Sequence, residues 1–298
     1  MKKLALLVTF AFIFTISIFP QTCRQLAKEV KPDLSPETKK AYDLKLTEAF
    51  EQFTKQMGNA DSTIWLGRRT AYLGNYKDAI RIFSEGLSRY PTDARFFRHR
   101  GHRYITIRCF DEAIKDLDRA ANLVRGKPDQ SEPDGLPNAK NIPTSTLQTN
   151  IYYHLGLAHY YKGEFDAADT AFSQAYSLAK NSDMQVAAAN WVYMSKMRKG
   201  KSMEANQFIL KIADGLDVIE NGDYYTLIKL YQGKMKPEEI ANKLNSNSLS
   251  NATLGYGLGN WYLYNGRREE AIKLFRHIVA GDQWGSFGYI AAEAELKR

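Results

Sequence analysis

The 298-residue sequence contains only two cysteines, five histidines and nine prolines. Two cysteines exclude a disulfide-stapled scaffold and a cysteine-based zinc module. There is no H-E-x-x-H spacing, no G-x-S-x-G and no phosphate loop, so no motif supports catalysis. Beyond residue 20 no apolar run approaches the roughly 20 residues of a membrane-spanning helix. Apolar residues are not scarce: at 44% hydrophobic and 25% charged the chain can build a core, which excludes disorder of its bulk. Positive charge is in excess, at a formal +8. Its position decides between an anionic partner, a membrane surface and plain solubility.

The N-terminus accounts for part of it. Lys2-Lys3 precedes an uncharged apolar run from Leu4 to Phe19, which Pro20-Gln21 breaks. A run of that length reads as a secretory signal peptide over 1–20, with an uncleaved anchor as the alternative. The mature chain is then expected to be exported, to a bacterial periplasm or cell envelope, with a charge of +6 once Lys2 and Lys3 are gone. Cys23 lies just past the run and is a candidate lipid-attachment site. However, Pro20-Gln21-Thr22 departs from the lipobox, which carries an aliphatic residue three before the cysteine and a small one immediately before it.

The rest of the chain repeats. Leu66-Gly67, Gly74, Tyr76, Ala79 and Phe83 return as Gly101, Tyr104, Phe110, Ala113 and Leu117, and again as Leu155-Gly156, Gly163, Phe165, Ala168 and Phe172. A further copy reads Leu258-Gly259, Tyr262, Gly266, Ala271 and Phe275, and weaker ones centre on Gly200 and on 224–244. The recurring alanines stand 34, 55, 37 and 66 residues apart. These are one period, one period with an insert, one period, and two periods slightly short. Each unit holds two helical patterns; Ile80, Phe83 and Leu87 lie on one apolar face. Gly74, Gly163, Gly200 and Gly266 fall where a first helix ends and a left-handed cap is needed. Gly67, Gly101, Gly156 and Gly259 sit mid-helix, costing about 1 kcal/mol each in propensity, which implies close approach of a neighbouring helix.

A 34-residue unit with this order of residues resembles the tetratricopeptide repeat family. The resemblance implies an all-α superhelix of about six helix pairs, stacked because one pair cannot bury its own faces. The expected organisation is a linker and capping helix at 21–56, repeats 1–2 at 57–125, a proline-rich insert at 126–146, repeats 3–6 at 147–283, and a capping helix at 284–298. Ser35-Pro36-Glu37 has the order of a helix start, and Tyr42, Leu46, Phe50, Phe53 and Met57 form a stripe suited to covering the first repeat. The final helix ends in polar residues, Glu293 to Arg298.

Two features lie outside the demands of stacking. Arg89 to Arg108 holds six arginines with His99 and His102 against the single acid Asp93, so the excess charge is local to one repeat. In tetratricopeptide arrays first helices line the concave groove. That resemblance places Arg68, Tyr72, Arg95, Arg98, His102, Tyr153, Tyr160 and Tyr161 inward, with Tyr256, Asn260 and Tyr264 continuing the lining. Arginine offers a planar fork of donors and tyrosine a rigid body with one polar tip, a combination suited to a carboxylate, a phosphate or an acidic peptide. The second feature is the insert, with Pro128, Pro133, Pro137 and Pro143 and the acids Asp129, Glu132 and Asp134. Loops of this length are uncommon in compact arrays and are functional or disordered. Glu132 and Asp134 are placed to fold over the groove as a lid or counter-charge. RHRGHRYI at 98–105 and PDQSEPDGLPN at 128–138 also look like segments of a group of exported bacterial tetratricopeptide proteins without assigned activity, which implies a shared site without naming its ligand.

The expected function is therefore an exported protein- or peptide-binding scaffold for an anionic partner, without cofactor, metal or nucleic acid, and with a membrane reached only through a lipid on Cys23. The dicarboxylate clamp of some tetratricopeptide proteins does not transfer, since its places hold Ile64, Arg68, His99, Asn150 and His154. The alternative is an enzyme using His102 with Glu132 or Asp134 as acid–base groups. A zinc site on His99, His102, His154 and His159 is disfavoured by the surrounding arginines. Cys109 is expected to be a buried structural thiol.

Overall fold

A computed structural model describes residues 22–298 apart from 134, 139 and 245–248. The signal-peptide segment and Asp134 lie outside the described residues. Within them every regular element is a helix, apart from one isolated antiparallel bridge between Ser131 and Thr146. A single turn, α1 (Cys23–Leu26), and the longer α2 (Pro36–Lys55) precede six helix pairs. These are α3 (Ala60–Tyr72) with α4 (Tyr76–Arg89), α5 (Ala94–Thr106) with α6 (Phe110–Val124), and α7 (Leu147–Lys162) with α8 (Phe165–Leu178). They continue as α9 (Ser182–Arg198) with α10 (Ser202–Ile209), α11 (Gly222–Tyr231) with α12 (Pro237–Ala241), and α13 (Leu249–Tyr264) with α14 (Arg268–Val279). Helix α15 (Phe287–Glu295) closes the chain. The first helices also touch one another in series, α3 on α5, α5 on α7, α7 on α9, α9 on α11 and α11 on α13. They form one inner face, as the all-α superhelix of stacked pairs requires.

The mid-helix glycines explain the pairing. A Cβ on Gly67 would stand 2.4 Å from the Phe83 ring, and one on Gly259 would stand 2.4 Å from Phe275. At Gly101 the clash is with Leu117 at 2.8 Å, and at Gly156 with Phe172 at 2.7 Å. In each case the large side chain comes from the second helix of the same pair, 16 residues on. The glycine is the socket and the bulky residue the plug, and the contact repays the glycine's poor helix propensity. The left-handed turns also recur, at Gly74, Gly163, Gly200 and Gly266 with φ between 74° and 82°. The second repeat departs from this. The equivalent position is Arg108, held at φ 66°, a conformation costing a non-glycine residue on the order of 1 kcal/mol. Its guanidinium is anchored on Glu293 at 2.8 Å and on the Trp284 carbonyl at 2.9 Å, and lies 3.9 Å from the Trp284 ring centroid.

Three expectations are corrected. The C-terminal helix does not present a polar outer face: α15 packs on α7, α13 and α14, inside the curve of the array. Its polar end is consumed there. Glu293 pairs with Arg108, Glu295 with Arg198 and Arg298, and Arg298 donates to the Tyr160 and Tyr161 carbonyls at the end of α7, where a cation meets the negative end of the helix. The stripe of α2 is lightly used; Ala49 alone is buried, while Phe50 and Met57 are exposed. Finally, Cys23 and Cys109 are bonded to each other across 86 residues. Cys109 is not a free thiol, and a sulfur in a disulfide cannot carry the lipid considered for Cys23. The bond ties a strap, residues 27–34, over the turn at Gly74, where Pro32 would lie only 2.5 Å from an added Cβ. No helix of the described residues is long and apolar enough to cross a membrane.

Candidate functional site

The concave face at α3 and α5 is where the arginines converge, and the insert folds onto it. Glu132 N donates to Ser145 O and Leu147 N to Gln130 O, pinning the two ends of the loop together. Asn138 and Thr144 hold Glu220, and Asn181 holds the Thr144 carbonyl, so the loop is anchored on its far side too. Within the groove Glu132 reaches Arg98 at 2.9 Å, with both side chains under a tenth exposed. Arg68 donates to the Pro133 carbonyl at 2.8 Å and Arg69 to the Gly135 carbonyl at 2.6 Å. Gly135 is required here, because a Cβ would overlap the Tyr72 hydroxyl. The insert therefore supplies counter-charge through Glu132 and three acceptors in all.

Three other arginines of the charged stretch are occupied elsewhere. Arg95 pairs with Asp61 and Asp93, Arg100 forks onto Asp116, and Arg108 meets Glu293. Arg95 thus stands to one side of the predicted site, lining a neighbouring space with Arg68, His99 and Glu132; Tyr72 stays in the site, and the other predicted tyrosines belong largely to the core. Tyr153, Tyr160 and Tyr161 are buried, their hydroxyls bonded to Tyr224, Asn260 and the Phe287 carbonyl respectively. Tyr256 and Asn260 are equally buried. The superhelix closes on itself through α15, which covers Tyr161, while Tyr153 and His102 line a cavity of about 320 Å³ beside Phe287.

What remains is a compact cationic cluster. Arg98 Nη1 lies 3.1 Å from His99 Nδ1 and 3.5 Å from His102 Nδ1. A guanidinium only donates, so both Nδ1 atoms accept and the ring protons sit on Nε2. The His154 ring is 4.2 Å from that of His102, and His154 Nδ1 donates to the Asn150 carbonyl. Burial first, then the neighbouring arginines, hold all three histidines well below the usual imidazole range, so they are neutral at pH 7. His159 stands apart, paired with Glu164, so the four histidines do not converge on a metal. Nor do His102 and Glu132 form an acid–base pair: Glu132 is taken by Arg98, and its nearest histidine is His99, at 4.0 Å.

Arg103 is the residue that the helical-face pattern passed over. It lies one position beyond His102 and 34 residues after Arg69, so a column of cations at matching repeat positions was the available signal. Among the described residues no carboxylate or carbonyl accepts from its guanidinium; its contact is the Tyr76 ring, with a centroid 5.8 Å away. Burial, opposed by Tyr76 and Tyr72, lowers its pKa to about 10. Arg68, Arg98 and Arg103 together line a cavity of about 100 Å³ with Tyr72, His99, His102 and Glu132. Among the described residues Glu132 is the one carboxylate lining it, and it pairs with Arg98 alone of the three guanidiniums. Arg98 Nε and Glu132 Oε2 are buried there without a partner, as is His154 Nε2 nearby.

This architecture, hairpins of two helices stacked through glycine sockets into a superhelix, is that of a helical-repeat solenoid. Residues 149–182, which span most of α7 and all of α8, match the family model of the tetratricopeptide repeat. Solved structures with a similar course include YrrB, described as a tetratricopeptide protein with an unusual peptide-binding site, at 14% identity over 83% of this chain and 97% of that one, with a TM-score of 0.45. PilW, a type IV pilus biogenesis factor, is 14% identical over 81% and 86% with a TM-score of 0.47, and MamA is 21% identical over 59% and 82% with a TM-score of 0.43. No curated protein matches the chain.

Proposed function

We propose that the protein is an exported, non-catalytic binding scaffold whose concave face holds an anionic group, from an acidic peptide or a small anion, between Arg68, Arg98 and Arg103. The observation that carries this reading is the charge imbalance among the described residues: three guanidiniums, one carboxylate and two neutral histidines around one cavity. A buried surplus of positive charge is costly unless something answers it. In this reading Glu132 is a built-in competitor that occupies one arm of the site when no ligand is bound. The uncharged run Leu4–Phe19 supports export, as does the Cys23–Cys109 bond, since disulfides persist in oxidising compartments.

The test is a titration of the full mature chain with inorganic phosphate and, separately, with a fluorescein-labelled hexaglutamate peptide, each at low and high salt. The Glu132→Gln variant should bind at least one of them about tenfold more tightly than wild type, because the competitor is gone. Arg68→Gln should weaken binding by a similar factor, about what one charge-assisted hydrogen bond contributes. Absence of saturable binding of either probe, to wild type and to Glu132→Gln alike, would overturn the reading.

A further inference from the structure

Arg103 also forms the wall of a second, larger cavity. This space, about 330 Å³, is bounded by Tyr42, Tyr72, Tyr76, Trp284 and Leu136, and Arg103 stands at its inner end. Three segments remote in sequence border it, and it stays open to solvent: Val30, Pro32, Asp33 and Leu34 of the strap, Leu136 of the insert, and 282–286 before α15. An extended peptide running along the groove would cross all three. The strap is fastened by the Cys23–Cys109 bond and by Lys77 N donating to Glu29. The segment 282–286 is fastened by Arg108 on the Trp284 carbonyl. At about 330 Å³ the space has the size of a small-molecule site.

Its lining sets the chemistry. Four aromatic side chains line the cavity together with a comparable polar share, and spaces of this size hold small ligands, with polar groups fixing their orientation. The inner end offers one uncommitted guanidinium, backed by Arg68 and Arg98 across the smaller cavity. The outer rim carries two exposed acids, Asp33 and Asp282. Acids at the mouth repel a ligand with negative charge distributed along it, while an anionic group at one end only reaches Arg103 and leaves its apolar body against the rings. We infer that the strap, insert and C-terminal loop line a binding site for a small monocarboxylate with an aromatic or aliphatic body, its carboxylate on Arg103 and its apolar part between Tyr42, Tyr72, Tyr76 and Trp284. This inference rests on the anionic reading above and narrows it to one class of ligand and one residue.

Isothermal titration calorimetry with benzoate, phenylacetate and hexanoate tests it, with phenylacetamide as the uncharged counterpart of phenylacetate. At least one of the three carboxylates should bind wild type saturably, and phenylacetamide should bind about tenfold more weakly than phenylacetate if phenylacetate is that ligand. The Arg103→Met variant keeps the stem and removes the charge. It should lose carboxylate binding by about tenfold or more while its melting temperature does not fall, since Arg103 has no hydrogen-bond partner among the described residues to lose. Arg103→Lys should recover part of the affinity. Saturable phosphate or hexaglutamate binding with no carboxylate binding overturns this inference and leaves the broader anionic reading standing. Carboxylate binding unchanged in Arg103→Met overturns the assignment to this cavity. Failure of every anion removes both.

Discussion

The Arg98–Glu132 pair allows the sign of the site's charge imbalance to be measured directly. Both partners are buried and 2.9 Å apart, so neither benefits from bulk solvent. Removing one member of a buried pair typically costs about 3–5 kcal/mol, because the other is left uncompensated. Here the two removals are not equivalent. Glu132→Gln leaves Arg98 facing Arg68 and Arg103 with no carboxylate among the described residues that line the cavity, so the full loss of about 3–5 kcal/mol is expected. Arg98→Met leaves Glu132 beside two other guanidiniums, and the loss should be smaller by about 1–2 kcal/mol, the scale of one charged hydrogen bond. The double variant Arg98→Met, Glu132→Leu should lie near wild type, as apolar replacement of buried pairs often does. Urea unfolding of each variant at pH 7 supplies the values, with an unchanged m-value showing that the extent of unfolding is comparable. Inorganic phosphate at about 100 times its Kd should return roughly 2.7 kcal/mol to Glu132→Gln. If Arg98→Met proves as damaging as Glu132→Gln, or more so, the cluster has no positive surplus and the reasoning fails.

Two further outcomes are expected. Gly156→Ala gains about 1 kcal/mol in helix propensity but forces a methyl to 2.7 Å from the buried Phe172 ring, and overpacking of that kind costs about 1–3 kcal/mol; a net loss should appear as a lowered melting temperature, and a stabilised variant would contradict the socket. Replacing Cys23 and Cys109 with Ser opens a span of 86 residues and should cost about 2–5 kcal/mol, with limited proteolysis cutting first in the strap at 27–34; an unchanged urea midpoint and an intact strap would show that the bond carries no stability.

The repeat was legible because its contacts are local. Gly67 and Phe83, or Gly156 and Phe172, stand 16 residues apart, so period, socket and plug all fall inside one unit, and the turn glycines mark where each unit folds back. The same economy hides whatever depends on summing the units. Arg108 meets Glu293 across 185 residues, and whether they meet depends on the rotation accumulated from α5 to α15, which no single repeat encodes. The periodic pattern therefore assigned Tyr160 and Tyr161 to an open groove, while closure placed them under the chain's own C-terminus. The cysteines were passed over for a related reason. Two of them in a long chain read as incidental until the strap brings Cys23 to the turn after α5. Arg103 shows the remaining limit. A single-face helical pattern selects Arg95, Arg98 and His102, but a helix lying between an insert on one side and a strap on the other presents two inward faces. The face carrying Arg103 is the one whose charge the chain does not answer. Of the six arginines in that stretch, Arg95, Arg98, Arg100 and Arg108 are matched by acids of the fold itself. The local excess of that stretch is thus mostly answered by acids from elsewhere in the chain, and what is left over for a ligand at this face is concentrated at Arg103, with Arg68 behind it.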